Sequence, residues 1–376
     1  MLKSKHDRKE ENDMKTVDSE FKNDLKCKAL SAFTNEDILF FDIETTGFSA
    51  KTSALYMIGL CYFSGDSWHV RQYLSERQED EILMLESFTK MLKNYSVLVH
   101  YNGDGFDIPF ITHKCEKYDI DSAPLTSLKS FDIYKYIFPL RKIFPTPNLK
   151  LKTMETFLGI HREDEMDGGK LIHIYKSYLE THDKSYEELL LLHNREDVEN
   201  LINISGIANY CDFLNVPFES CECVCDKNNV NLSAFFDFTV PVSFSFCIND
   251  VFFNASDNRL YISVKKFSDE LKYFFSDYKN YYYLEVEDMA VHKSVASYVD
   301  KAFRRPATAA TCYIKKAGTF MPAFSGDFSR TFKYDYHDKE SYILVPDNVE
   351  SDRDFVCKYI DVIRKGSLCS AKAPFK

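Results

Sequence analysis

The sequence predicts an α/β protein: a mixed sheet with helices on its faces, followed by a second, α+β region. Three observations point there. Ile38–Phe41 is a continuous apolar run, as expected of a strand buried on both faces, and it passes through Asp42-Ile-Glu44 before breaking at Gly47. Leu55–Phe63 and Ser67–Leu74 are two more strand-like runs joined by Gly65-Asp66, a tight hairpin turn. From Glu79 the period changes, and Ile82, Leu85, Phe88, Met91 and Leu92 recur at helical spacing.

The elements follow in order. Residues 1–35 mix Lys, Asp and Glu with few large apolar groups and read as a flexible or loosely helical lead-in. The spacing predicts strands over 37–44, 55–63 and 67–74, a helix over 79–93, and a short buried strand at Val97–His100 that stops at Asn102-Gly103. Phe106 opens a helix with Pro109 in its first turn, where proline is tolerated. Helices are expected at Leu149–Leu158 and Lys170–Leu179, and a long one from about Ser185 to Phe213. After Pro217 the texture changes, and Phe235–Val264 is β-like around the Asn254–Asn258 turn. Helices are expected at Phe267–Phe275, Val291–Phe303 and Asp352–Lys365, with strand pieces at 309–316 and 331–345. The predicted division is a lead-in of 1–35, a first domain of 36–220 and a C-terminal α+β domain of 221–376.

A chain of 376 residues suits two domains. No apolar run is long enough to span a bilayer, and the charged N-terminus lacks the apolar centre of a secretory signal, so a cytoplasmic protein without a membrane partner is expected. Scattered cysteines, 11 in all, suit a reducing compartment. Cys221-Glu-Cys-Val-Cys225 has the spacing of alternating strand residues, against which stands a zinc or redox reading. The net charge of -11 argues against coating nucleic acid through bulk charge, but leaves room for a local basic groove.

Three motifs carry chemistry. Asp42 and Glu44 are two apart on a strand and point to one face, where a divalent cation would offset their desolvation. Asp107, in His100-Tyr-Asn-Gly-Asp-Gly-Phe-Asp-Ile-Pro109, stands at a helix start, a place that also suits a plain N-cap. His193 and Asp197, in Leu190-Leu-Leu-His-Asn-Arg-Glu-Asp197, are four apart and share a helix face with Leu190, Leu201 and Ile204.

In this order and spacing the three motifs resemble the DnaQ-type (DEDD) 3′–5′ exonuclease superfamily on the ribonuclease-H-like fold, over roughly residues 37–210. Leu149-Lys-Leu-Lys-Thr-Met-Glu155, Asp167-Gly-Gly and His193-Asn-x-x-Asp-Val resemble its YprB-like branch. The resemblance implies a mixed five-stranded sheet flanked by helices, and two Mg²⁺ or Mn²⁺ ions held by Asp42, Glu44, Asp107 and Asp197. His193 becomes the general base or water-orienting group, a task that an unperturbed pKa near 6.5 suits. Relatives with a catalytic histidine usually place it five residues before the last Asp, and those with tyrosine four. Here a histidine stands at four. The resemblance places Thr45, Gly47, Asn102 and Phe106 near the 3′-terminal nucleotide, with Lys150 and Lys152 as candidate phosphate contacts.

The implied activity is removal of nucleotides from 3′ ends, with DNA ahead of RNA as substrate, in repair or maintenance, and with a helicase or other repair protein as a candidate partner. The competing readings are an RNA-trimming exonuclease, a non-catalytic nucleic-acid-binding module, and a ribonuclease-H-like endonuclease. In the C-terminal region Tyr281–Ser294, Phe303-Arg-Arg-Pro306 and Lys315-Lys316 interleave aromatic and basic residues, the pattern of either a single-strand binding surface or a tyrosine-rich core strand.

Overall fold

The computed structural model describes residues 14–77, 79–164, 166, 168–248, 250–324 and 328–368. Residues 1–13 of the expected lead-in, and Asp167, lie outside the described residues. The chain divides into two compact units, the first ending at Asp212 and the second beginning at Phe213, within a helix rather than at the expected 220/221.

The N-terminal unit contains β1 (Lys15–Phe21), β2 (Ile38–Thr45), β3 (Leu55–Ser64), β4 (Ser67–Leu74), α1 (Asp80–Leu92), β5 (Val97–His100) and α2 (Asp107–Lys117). It continues with α3 (Ala123–Ser127), β6 (Lys129–Asp132), α4 (Ile133–Ile137), α5 (Leu151–Phe157), α6 (Gly168–Thr181), α7 (Lys184–Ser205) and the start of α8 (Ala208–Asn215). The sheet order is β1-β4-β3-β2-β5-β6. β1 to β2 pair antiparallel through β4 and β3, whereas β2-β5-β6 are parallel.

The sheet has six strands, not five, and the sixth comes from the expected lead-in. Lys15–Phe21 pairs along its whole length with β4, and Arg71 forms two hydrogen bonds to Asp18 directly opposite it. An edge strand with one face in water tolerates this charge density, which conceals its period-two pattern in the sequence. The expected long helix also ends earlier: α7 stops at Ser205, and α8 resumes after Gly206.

Side-chain alternation along β2 sets the site. Leu39, Phe41 and Ile43 pack with Leu85, Phe88 and Phe110 of α1 and α2 in one cluster. Asp42 and Glu44 therefore point to the other face, the side on which α7 packs against β2. On β3, Tyr56 and Met57 join Leu171, Tyr175, Tyr178 and Leu190 of α6 and α7 in a second cluster.

The C-terminal unit is α+β. Its strands are β7 (Ser220–Cys225), β8 (Asn229–Phe235), β9 (Phe244–Ile248), β10 (Val251–Ser256), β11 (Arg259–Lys265), β12 (Phe267–Phe274), β13 (Tyr281–Leu284) and β14 (Met289–His292). The four-residue helix α9 (Lys293–Ala296), β15 (Arg304–Pro306), β16 (Tyr313–Pro322), β17 (Tyr342–Leu344) and α10 (Arg353–Leu368) complete it. The sheets run β7-β8-β11-β10-β9, β12-β16-β17 and β14-β13-β15.

Two expected helices are not helices. Phe267–Phe274 is a strand paired with β16 along its length, because cross-strand pairing outweighs the helical preference of Glu270, Leu271 and Lys272. Val291–Phe303 splits into the end of β14, short α9 and a turn, since Ser294, Ser297, Val299 and Asp300 are poor helix formers. The cysteines of β7 alternate along the strand as the plainer reading expects, with Cys221 and Cys223 buried. No helix among the described residues is long and apolar enough to cross a membrane.

Candidate active site

α7 approaches the sheet closely because of Gly59. This residue stands opposite Asp42 in the β2–β3 register, and a Cβ there would collide with the Asn194 amide. Asn194 is fully buried, and Gln72 Nε2 donates to its Oδ1 at 3.0 Å and to the Leu191 carbonyl at 2.9 Å. The missing side chain on β3 thus seats the turn of α7 that carries His193 and Asp197 beside the carboxylates of β2.

His193 Nε2 lies 3.3 Å from Glu44 Oε1 and 3.3 Å from Asp197 Oδ2. One donor atom from each of the three lies within 4.8 Å of the others. Asp42 and Asp107 belong to the same electrostatic cluster. Burial, then repulsion from Asp197, Asp107 and Glu44, raises the Asp42 pKa well above the ordinary carboxylate range, with Arg162 opposing. Glu44 is raised by burial and by Asp197, while a hydrogen bond from the Tyr56 hydroxyl at 3.4 Å pulls it down. Asp107 is pushed up to about 7, by burial first and by Asp132 and Asp197, against hydrogen bonds from its own amide and that of Ile43. A cation bound among these carboxylates would relieve their mutual repulsion.

Asp107 is carried by a shaped loop. Asn102 adopts the left-handed conformation with φ 62°, and its amide donates to Asp132 Oδ1 at 2.9 Å. The Gly103 amide donates to His100 Nδ1 at 3.0 Å, and a Cβ at Gly103 would lie 2.7 Å from that nitrogen and 3.1 Å from Asp107 Oδ2. His100, Asp104 and Asp132 form a second His/Asp group. It is closed by internal partners: Ser130 bridges His100 and Asp104, and Lys135 pairs with Asp104 at 2.7 Å.

Sequence reasoning missed the support behind His193. Asp164 Oδ2 accepts from His193 Nδ1 at 2.6 Å, and Lys152 Nζ pairs with the same oxygen at 2.9 Å. Burial opposes the ionisation of Asp164, but hydrogen bonds from Lys152, the Met166 amide and His193 outweigh it and hold its pKa below the ordinary range. An ionised carboxylate only accepts, so Nδ1 donates to Asp164 and Nε2 is the nitrogen turned toward Glu44 and Asp197. Arg162 pairs with Asp197 and, at 2.9 Å, with Glu155. Arg162 and Asp164 fall outside any periodic pattern; their one signal is the density of charge in His161-Arg-Glu-Asp164.

The expected substrate contacts divide. Thr45 Oγ1 donates to the Gly47 carbonyl at 3.0 Å, fixing the turn after β2. Phe106 packs edge-on against Phe48 with ring centroids 6.0 Å apart, and Phe48, not singled out in the sequence, is 94% exposed. Asn102 and Lys150 are exposed. The ammonium of Lys152, read as a phosphate contact, is engaged by Asp164 and the Met166 carbonyl.

Residues 39–209 match the family model described as RNase_H superfamily. The fold of the N-terminal unit is ribonuclease-H-like. A DNA polymerase of Ostreid herpesvirus 1 (isolate France) is 34% identical over 73 residues, which are 19% of this chain and 4% of that protein. The family B DNA polymerase of the archaeon Pyrobaculum calidifontis is similar with TM-score 0.36 and 15% identity, over 65% of this chain and 35% of that one. Exonuclease I of E. coli in complex with a dA16 oligonucleotide is similar with TM-score 0.25 and 12% identity, over 52% of this chain and 54% of that one. The chain thus spans only a small part of the viral polymerase and about a third of the archaeal one.

Proposed function

We propose that this protein is a divalent-metal-dependent 3′–5′ exonuclease that hydrolyses phosphodiester bonds, on DNA ahead of RNA, in the repair or maintenance of nucleic acid in the cytoplasm. The observation that carries this reading is the gathering of Asp42, Glu44, Asp107, Asp197 and His193 at one site beside β2.

The donor set fits hard divalent cations. Carboxylate oxygens converge, raised by burial and mutual repulsion, and all gain from a positive charge. Asp42, Glu44, Asp107 and Asp197 would hold the ions. When bound, two divalent ions supply Lewis acidity to the attacking water and to the leaving oxygen of an in-line displacement. The chain's own groups do the rest. His193 Nε2 takes a proton from the water, while Asp164 keeps Nδ1–H in place so that the ring presents its basic nitrogen. The exposed Phe48 and its partner Phe106 offer aromatic surface to the terminal base, beside the turn set by Thr45 and Gly47.

Digestion of 5′-labelled DNA and RNA oligonucleotides with Mn²⁺, Mg²⁺ or EDTA tests the reading. The expected result is a ladder that shortens from the 3′ end, abolished by EDTA and by Asp107→Ala. Internal cuts in a duplex would instead indicate an endonuclease. No cleavage of any substrate would indicate a binding module.

A further inference from the structure

The cysteines of β7 meet another cysteine carried by α10. Cys221, Cys223 and Cys225 are spaced two apart along β7 and so share one face of the strand. α10 packs against β7 and brings Cys357 to that face. The Cys221 and Cys357 sulfurs lie 3.2 Å apart, although the two residues are 136 positions apart in sequence. A disulfide bond of about 2 Å needs only a small further approach. Beside the pair opens a cleft of about 460 Å³, lined by Cys221, Cys223, Glu350 and Arg353 among others, which gives a small oxidant access. Cys221 is buried and Cys357 only partly so. Burial, then the hydrogen bond to Cys357, pushes the Cys221 thiol up to about 12, against a smaller pull from Arg353. Cys221 therefore keeps its proton, and Cys357, the more exposed of the two, is the sulfur placed to attack first.

We propose that Cys221 and Cys357 form a reversible, oxidant-sensing disulfide that fastens α10 to β7. The oxidant is a small hydroperoxide, of which hydrogen peroxide is the simplest. The Cys357 thiolate attacks one peroxide oxygen and the O–O bond breaks. The departing oxygen takes the proton that Cys357 gave up and leaves as water, with Cys357 now a sulfenic acid. Cys221 then attacks the Cys357 sulfur. The S–O bond breaks, and the released hydroxide leaves as water with the Cys221 proton. Two thiols lose two electrons and two protons, and one peroxide becomes two waters. Cys223 and Cys225 compete poorly. Two residues apart on an extended strand, their Cα atoms stand roughly 6.6 Å from each other, near the upper limit for a disulfide. In a reducing compartment such a pair rests as two thiols and closes only under oxidant. It belongs to the C-terminal unit and shares no residue with the acidic site, so it stands whether or not the nuclease reading holds.

The test is oxidation of the full chain with hydrogen peroxide, followed by acid quenching, N-ethylmaleimide labelling in denaturant and peptide mass spectrometry. A linked pair of peptides carrying Cys221 and Cys357 should form, and dithiothreitol should restore both thiols. Cys247, exposed on β9, should still label at the peroxide dose that closes the pair. Cys221→Ser should stop at the Cys357 sulfenic acid, which dimedone traps, whereas Cys357→Ser should leave Cys221 reduced. Closing so long a loop should raise the melting temperature of the oxidised parent by several degrees, with no such rise in Cys357→Ser. The parent itself carries the first readout, so a variant that fails to fold leaves the test standing. Cys221 and Cys357 both open to labelling after peroxide has consumed Cys247 would overturn the proposal. So would a link between Cys223 and Cys225 in their place, or a bridge between two chains.

Discussion

The two units treat charge in opposite ways. In the N-terminal unit, carboxylates from β2, α2 and α7 crowd together at one partly buried place, and their pKa values rise as a result. In the C-terminal unit, cations such as Arg305, Lys315 and Lys316 stand at exposed positions, where solvent keeps each charge inexpensive. The first arrangement costs the metal-free fold stability, a cost that a bound cation would offset. The second costs the fold almost nothing, so charge alone is a weaker functional signal there.

The largest expected effect breaks the first arrangement. Asp42→Asn should abolish metal-dependent cleavage while raising the melting temperature of the metal-free protein by several degrees, since it removes a repelled carboxylate. A melting temperature lowered by the substitution would contradict the repulsion. Gly59→Val comes next. Its side chain has no space against the buried Asn194, and the cost should be about 2–3 kcal/mol in denaturant unfolding, with activity lost in parallel. Gly318→Ala is the contrasting case in the C-terminal unit: its Cβ meets only the end of the flexible Leu344 side chain, and a much smaller cost is expected.

The pH dependence follows from Asp107. Its folded pKa of about 7 lies above its ordinary value, so the folded state holds the proton more tightly than the unfolded chain. Metal-free stability is therefore fullest below about pH 4 as far as this group is concerned, and falls as pH rises toward and through about 7, by a few kcal/mol in order of magnitude. Asp107→Asn should flatten that decline in a melting series, and a decline of unchanged steepness would contradict it. Added Mg²⁺ should stabilise the parent more at high pH than at low. Asp164→Asn should lower kcat by about 10- to 100-fold with little change in KM, because it releases His193 without touching substrate. The smallest effect belongs to Arg71→Ala, which removes a surface pair holding β1 and should cost less than about 1 kcal/mol.

The same contrast explains what could be read in advance. β2, β3 and β5 are buried on both faces and stand out as apolar runs, and α1 shows its period clearly. β1 was hidden because its exposed face is charged, and β6 because only four residues long, with two exposed, it shows no period. The candidate set Asp42, Glu44, Asp107, His193 and Asp197 was assembled from residue type, spacing and the family resemblance. Asp164, Arg162 and Asp132 were not, because they act through hydrogen bonds to other residues and occupy segments without periodicity. In the C-terminal unit the strands are short and their partners distant in sequence, as with β12 and β16, so local preference misleads there.

The most direct measurement is Mn²⁺ binding, by calorimetry or electron paramagnetic resonance, to the parent chain, Asp42→Asn and Asp107→Ala at neutral pH. Convergence of the four carboxylates predicts two ions per chain in the parent and loss of at least one in each variant. Mn²⁺ binding of the same stoichiometry and affinity in all three would contradict it.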